Sequence, residues 1–148
     1  MTDVLFYHLE RQSLDQALPQ LLEACRKRDW RAVVQAGSPE RVAALDDLLW
    51  TYSDDSFLPH GCAPAAPEDQ PVWLTTDEET PNEANVLFLV DGADREEIGA
   101  FERCVFIFDG ADDMAVSQAR DKWTRLKSGG HAVTYYQQNS SGAWEKKA

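Results

Sequence analysis

Three cysteines and three histidines are the residues of this 148-residue chain best suited to metal binding or nucleophilic catalysis. Of these, only His60 and Cys62 stand close together, and no second pair follows at the spacing of a zinc site. A thiol beside an imidazole can act as a nucleophile, but no orienting group or oxyanion loop is evident in the sequence around this pair. The sequence therefore predicts no metal site, and a hydrolase built on Cys62 and His60 remains an alternative.

Paired carboxylates and glycine-rich loops give no clearer sign of catalysis. The acid pairs Asp46-Asp47, Asp54-Asp55 and Asp112-Asp113 lie beside turns and helix ends, where capping and solvation explain them. The eight glycines include no Gly-x-Gly of a dinucleotide fingerprint and no Gly-x-x-x-x-Gly-Lys-Ser/Thr of a P-loop. We expect no phosphate-binding glycine loop and no cofactor. The alternative function is a nucleotide-handling α/β enzyme with a degenerate phosphate site.

A stripe of basic and aromatic residues on the last predicted helix suits an anionic partner. At 100° per residue, Val116, Arg120, Trp123 and Lys127 fall within a sector of about 60°, beside a face of small apolar residues. Such a stripe can hold an apolar side chain against Trp123 and a carboxylate on Arg120. The other interpretation places Trp123 in the core, with the Arg120 side chain extending past it.

Large apolar side chains also follow the second predicted helix, in a segment rich in turn residues. Trp50 lies at the end of the helix, and Phe57, Leu58, Pro59 and His60 follow. A loop seldom carries such side chains unless something covers them. They either dock a partner or close the core.

The net charge of −12 is unevenly distributed. Residues 1–118 carry 8 Lys/Arg against 24 Asp/Glu, a net of −16, whereas residues 119–148 carry 6 against 2, a net of +4. The acidic part repels a phosphate backbone, so we expect no direct tight binding to DNA. A local basic surface on an acidic protein instead suits a small anionic partner.

The predicted elements alternate between strands and helices. Strands are predicted over Asp3–Leu9, Arg31–Gln35, Val72–Thr75, Val86–Val90, Cys104–Phe108, Ala132–Gln138 and Ala143–Lys146, and helices over Ser13–Asp29, Ser38–Trp50, Glu96–Phe101 and Asp112–Ser128. Pro19 is assigned to a first helical turn, so the regular part of the first helix is predicted from Ala17. Gly61 to Pro71 is predicted to be a loop. The alternation predicts one α/β domain over residues 1–148, Rossmann-like, with a largely parallel central sheet flanked by helices.

Composition places the chain among soluble proteins. No run approaches the ~18 apolar residues of a membrane span, and the start of the chain is typical of a strand, not of a signal peptide. Three widely spaced cysteines argue against a disulfide framework. We expect a cytoplasmic protein that is a monomer on its own.

Seven short motifs, in this order and spacing, resemble one family over nearly the whole chain. They are Phe6-Tyr7-x-Leu9, Leu45-Asp46-x-x-Leu49-Trp50, Ser56-Phe57-Leu58-Pro59-His60, Pro71-Val72, Ala119-Arg120-x-x-Trp123, Gly130 and Tyr135-Tyr136-Gln137-Gln138. The chain resembles the chi subunit of bacterial DNA polymerase III. Trp123 stands where this family often has Tyr, and Thr124 stands where a Lys is common.

The resemblance implies a non-catalytic accessory subunit of the replicative polymerase. Chi subunits join the clamp-loader assembly through a psi subunit and bind the acidic, Phe-ending tail of single-stranded DNA-binding protein. The residues expected to bind the tail are Val116, Arg120, Trp123, Arg125 and Lys127, with Lys122 as an alternative to Arg125. The residues expected to bind a psi-type partner are Trp50, Phe57, Leu58, Pro59 and His60.

Overall fold

The computed structural model describes residues 2–10, 13–51, 60–62, 68, 70–78, 82–95, 98–138 and 144–147. Its elements in chain order are β1 (Asp3–Leu9), α1 (Leu14–Lys27), β2 (Ala32–Gln35), α2 (Pro39–Thr51), β3 (Gly61–Cys62), β4 (Val72–Thr75), β5 (Val86–Leu89), β6 (Arg103–Asp109), α3 (Asp113–Ser128), β7 (Ala132–Gln138) and β8 (Trp144–Lys146). None of the helices among the described residues is long and apolar enough to cross a membrane.

The described strands form one sheet in the order β3-β4-β2-β5-β6-β1-β7-β8. All neighbouring pairs are parallel except β7 and β8, which run antiparallel. The predicted Rossmann-like α/β fold with a largely parallel sheet is therefore confirmed. In this order β3 lies at one edge of the sheet and β7 lies next to the other edge.

Helices cover both faces of the sheet and create two apolar layers. One layer packs α1 and α2 against residues such as Val86 and Phe88. The other packs α3 against residues such as Leu87 and Leu89. All four residues of β5 are fully buried because successive side chains point to opposite faces, both of which are covered.

The first helix begins earlier than predicted, which corrects the assignment of Pro19. Helix α1 starts at Leu14, and Pro19 lies inside it and is buried. The Gln16 side chain accepts a hydrogen bond of 3.2 Å from the Ser13 backbone N–H. This bond caps a helix that starts at Leu14, three residues before the predicted start at Ala17. Burial of the Pro19 ring offsets the helical hydrogen bond that proline cannot donate.

Two further differences concern short segments. Gly61–Cys62, predicted as loop, forms the two-residue strand β3 beside β4. Of the short helix predicted over 96–101, the described residues 98–101 form turns. Both segments are too short for a periodic pattern to identify their conformation.

Helix α3 is capped at its start and ends at a glycine pair, and its buried residues identify the side that packs on the sheet. One Asp112 carboxylate oxygen accepts hydrogen bonds from the Met114 and Ala115 backbone N–H groups, at 3.0 and 3.3 Å. At the other end, Gly130 adopts a φ of 89°, which an L side chain rarely adopts. Ala119 and Leu126 are the buried residues of α3 and fasten it to the sheet.

Candidate protein-interaction sites

A groove of about 420 Å³ lies between α3 and β7. It is lined by Ala119, Arg120, Trp123, Thr124 and Tyr135. Tyr135 belongs to β7, and its side chain packs against the same apolar layer as α3. Of the predicted basic aromatic stripe, Arg120 and Trp123 line this groove, whereas Val116 and Lys127 do not.

Trp123 forms the apolar wall of this groove and also belongs to the core. Its ring lies edge-on to the Phe6 ring at 5.8 Å and to the Tyr135 ring at 6.1 Å between centroids. The side chain is half-buried, so one part packs inward and the remainder lines the groove. Trp123 thus packs against the core, as one of the two interpretations of the sequence expects, and it also lines the groove.

The cations of the stripe remain near solvent. Arg120 is exposed, and its guanidinium has no ion-pair partner within the part of the chain that the structure describes. The Lys127 ammonium lies 5.6 Å from the centroid of the Trp123 ring, within the range of a cation–π contact. Arg120 and Lys127 therefore place two positive charges beside one aromatic ring.

The other two cations considered for the same role lie on a different side of α3. The Arg125 guanidinium is 3.5 Å from an Asp94 carboxylate oxygen. The Lys122 ammonium donates to the Ala93 carbonyl at 3.4 Å and lies 5.0 Å from the Phe106 ring centroid, and burial lowers the pKa of Lys122. Neither residue lines the groove.

The lining of the groove differs from the sequence-based expectation at two residues, Val116 and Thr124. Val116 is half-buried one turn before Arg120 and does not line the groove, whereas Thr124 does. The sequence identifies Tyr135 only as part of a family motif and does not predict that it lines the site. Alternation along β7 predicts only that Val133 and Tyr135 share one face of the strand, and the structure shows that α3 packs on that face.

A second candidate surface lies where α2 meets β3. The Trp50 side chain is 55% exposed and lies against the His60 ring, with 4.6 Å between centroids. His60 itself is buried, and its Nε2 is 3.0 Å from an Asp46 carboxylate oxygen. The indole is therefore held from beneath while much of it faces solvent. Phe57, Leu58 and Pro59, predicted for the same surface, lie outside the described residues.

A larger crevice of about 680 Å³ opens at the carboxyl ends of β1, β5 and β6, where open α/β sheets commonly bind ligands. It is lined by the carboxylates of Asp91, Asp109 and Asp112, and its two cations, Arg41 and Lys122, already contact oxygen atoms of the protein. Because Asp112 already satisfies the first amides of α3, a phosphate would meet carboxylates instead of free N–H groups. These features disfavour a nucleotide at this crevice.

The cysteine–histidine pair is arranged unlike an activated nucleophile. Burial and the neighbouring Asp46 raise the pKa of the Cys62 thiol, which keeps the thiol protonated at neutral pH. The His60 Nε2 is bonded to Asp46. Among the described residues, moreover, no three His, Cys, Asp or Glu side chains are grouped so that they could hold a metal ion.

Comparison with known proteins identifies one family. The family model of the DNA polymerase III chi subunit (HolC) matches residues 1–134. A curated relative, the probable DNA polymerase III subunit chi of Rickettsia prowazekii (strain Madrid E), is 26% identical over 156 residues. That alignment covers 100% of this chain and 93% of the relative.

Proposed function

The chain belongs to the DNA polymerase III chi subunit family and is thus an accessory subunit of the replication machinery; from this premise we propose that it acts without catalysis as a link between two proteins. One partner is the acidic C-terminal tail of single-stranded DNA-binding protein, bound in the groove between α3 and β7. The other is a psi-type clamp-loader subunit, bound at the surface that includes Trp50.

The observation that carries the proposal is the combination of an apolar wall and an exposed guanidinium in one groove. Trp123 offers a partly exposed ring, and Arg120 beside it has no carboxylate partner among the described residues. The rest of the protein is acidic, so an anionic chain is attracted to this end of the molecule and repelled elsewhere. A tail that ends in an apolar side chain and a carboxylate fits both features.

Each element of the tail has a matching group in the groove. Arg120 is proposed to take the terminal carboxylate, because a guanidinium pairs with a carboxylate in a bidentate manner. Trp123 is proposed to take the last apolar side chain, with Val116 supporting it from the preceding turn. Lys127 is proposed to attract the acidic residues upstream, and Arg125, which already contacts Asp94, contributes only through space.

The psi-type partner is proposed to cover Trp50 and the segment that follows α2. An exposed tryptophan supported by a buried ring suits the centre of an interface, where aromatic anchors supply most of the binding energy. Phe57, Leu58 and Pro59, together with His60 beneath Trp50, complete the set proposed for this contact.

The sheet order makes simultaneous binding of the two partners feasible. The Trp50 surface adjoins β3 at one edge of the sheet, whereas the groove adjoins β7 beside the opposite edge. A protein whose two binding surfaces lie at opposite edges of one rigid sheet can connect its partners without bringing them into collision. This separation supports a linking role over two competing interactions at one surface.

Lys127 should matter for tail binding only through its charge. We expect Lys127→Ala to weaken binding of a tail peptide by less than about 1 kcal/mol, because an exposed ammonium is well screened by water. Binding by the unchanged protein should weaken as salt rises from about 0.05 to about 0.3 M, since the Debye length shortens over that range. Isothermal titration with the peptide measures both effects. If the unchanged protein shows no binding at low salt, the proposed tail site is wrong.

A further inference from the structure

The groove is connected to a partly buried histidine, His8, through the hydroxyl of Tyr135. The Tyr135 hydroxyl is hydrogen-bonded to Nδ1 of His8, which lies near the end of β1. On its other side, His8 Nε2 is 3.5 Å from a carboxylate oxygen of Glu10. That carboxylate also accepts a hydrogen bond from the Gln137 side chain. A continuous chain of polar contacts thus runs from Glu10 to a residue that lines the groove.

The imidazole of His8 is held in one position by its neighbours. Only 13% of its side chain is exposed, and the Phe108 ring lies 5.1 Å away between centroids. A Cβ added at Gly110 would lie 2.0 Å from His8 Nε2, so only glycine leaves room for the ring. Gly110 and Phe108 therefore limit the space around the imidazole that bonds to Tyr135.

Among the residues that the structure describes, few titratable groups face this histidine. Glu10 lies just beyond its own strand, and Tyr135 faces it from β7. Phe108 of β6 and Gly110, which follows β6, also lie next to His8 and carry no charge. Across the groove, the positive charge of Arg120 on α3 acts on the Tyr135 hydroxyl. Burial raises the pKa of Tyr135, so its hydroxyl keeps its proton while an imidazole titrates.

The protonation state of His8 determines what the Tyr135 hydroxyl can offer to the groove. When Nδ1 carries no proton, it can only accept, so the hydroxyl donates its single hydrogen to His8. When the imidazole is doubly protonated, Nδ1 donates to the tyrosine oxygen, and the hydroxyl hydrogen becomes available to another acceptor.

We propose that Tyr135 is a further ligand-binding residue of the groove, that His8 positions its hydroxyl, and that protonation of His8 strengthens binding of a terminal carboxylate. This inference rests on the proposed tail-binding function and adds pH regulation of the same site. A carboxylate held by Arg120 receives a second hydrogen bond from Tyr135 only when His8 is protonated. Binding therefore strengthens when a fall in pH protonates His8.

The test is a pH series of tail-peptide binding at constant ionic strength. The carboxylates of the peptide remain ionised down to about pH 5.5, so their charge does not change over the series. We expect affinity to rise about fivefold between about pH 8 and about pH 5.5 for the unchanged protein, a coupling at the lower end of the usual range.

Three variants test which residues cause this pH dependence of peptide binding. Tyr135→Phe retains the ring but removes the hydroxyl, and should bind with little dependence on pH. His8→Gln retains hydrogen-bonding atoms that do not titrate, and should also give a flat profile. His131→Gln changes a histidine at the start of β7, four residues from Tyr135, and should retain the full pH dependence.

The outcomes separate this inference from the proposed function. If the unchanged protein binds the peptide equally well at both ends of the series, tail binding stands and the role of His8 is wrong. The role of His8 is also wrong if Tyr135→Phe keeps the pH dependence or if His131→Gln removes it. If the protein fails to bind the peptide at any pH, the proposed function is itself overturned, and this inference with it.

Discussion

Replacing Arg120 with alanine should weaken binding of the acidic tail by about 2–4 kcal/mol, as expected when a guanidinium–carboxylate pair is lost at a partly desolvated site. Arg120 lies beside the half-buried Trp123, which excludes water from one side of the pair. The substitution should leave the free energy of unfolding almost unchanged, because Arg120 is exposed and makes no ion pair with a described residue. Titration of tail peptide into each protein measures the first effect, and thermal unfolding measures the second.

Arg125→Ala is the matched control for this result. It removes the same side chain from the same helix, but Arg125 lies outside the groove and contacts Asp94. We expect it to weaken tail binding by less than about 0.5 kcal/mol, because only a screened, through-space attraction is lost. Equal losses for the two variants would show that the tail responds to net charge and not to the geometry of the groove.

Trp50→Ala should weaken binding of a psi-type partner by about 2–4 kcal/mol, which is the usual cost of removing a tryptophan from the centre of an interface. The indole is 55% exposed in the chain alone, so a partner has apolar surface there to bury. Its inner side rests on the buried His60, which limits its movement and lowers the entropy lost on binding. Co-expression with a psi subunit followed by affinity measurement tests the prediction.

The control for Trp50 is Met114, the other large apolar side chain that stands out as exposed in the described part of the chain, at 72%. Met114→Ala removes exposed apolar surface at the start of α3 and should leave psi binding unchanged. If Trp50→Ala lowers thermal stability as much as it lowers partner affinity, Trp50 supports the fold and the proposed interface is incorrect. Phe57, Leu58 and Pro59 remain predictions of the same interface from the sequence.

Long apolar runs and helix ends made most of the fold predictable. Val86–Leu89 is continuously apolar, which indicates a strand covered on both faces, and it occupies the middle of the sheet. Asp112 and the pair Gly129-Gly130 delimit α3 by capping chemistry that depends on local sequence alone. Because these signals are local, the angular positions of Arg120 and Trp123 on the helix could be calculated without a structure.

Features that depend on distant parts of the chain could not be predicted. Arg125 meets Asp94 only because the loop after β5 approaches α3, a contact between residues far apart in sequence. Tyr135 becomes a wall of the groove because β7 pairs with β1 and brings it beside His8. Neither contact can be predicted from the periodicity of its own segment, because periodicity indicates which face is buried but not which residues cover that face.

The most direct test compares two tail peptides, one complete and one lacking only its last Phe, for binding to the unchanged protein. Both peptides carry the same number of acidic residues and a terminal carboxylate, so they have equal charge and differ in the terminal residue whose apolar side chain Trp123 is proposed to hold. If Trp123 holds this side chain, removal of the Phe should weaken binding by about 2–3 kcal/mol, which is the free energy of burying one large apolar side chain. Equal affinity for the two peptides would contradict the proposed binding of the last side chain in the groove, and only non-specific attraction between charges would then explain tail binding.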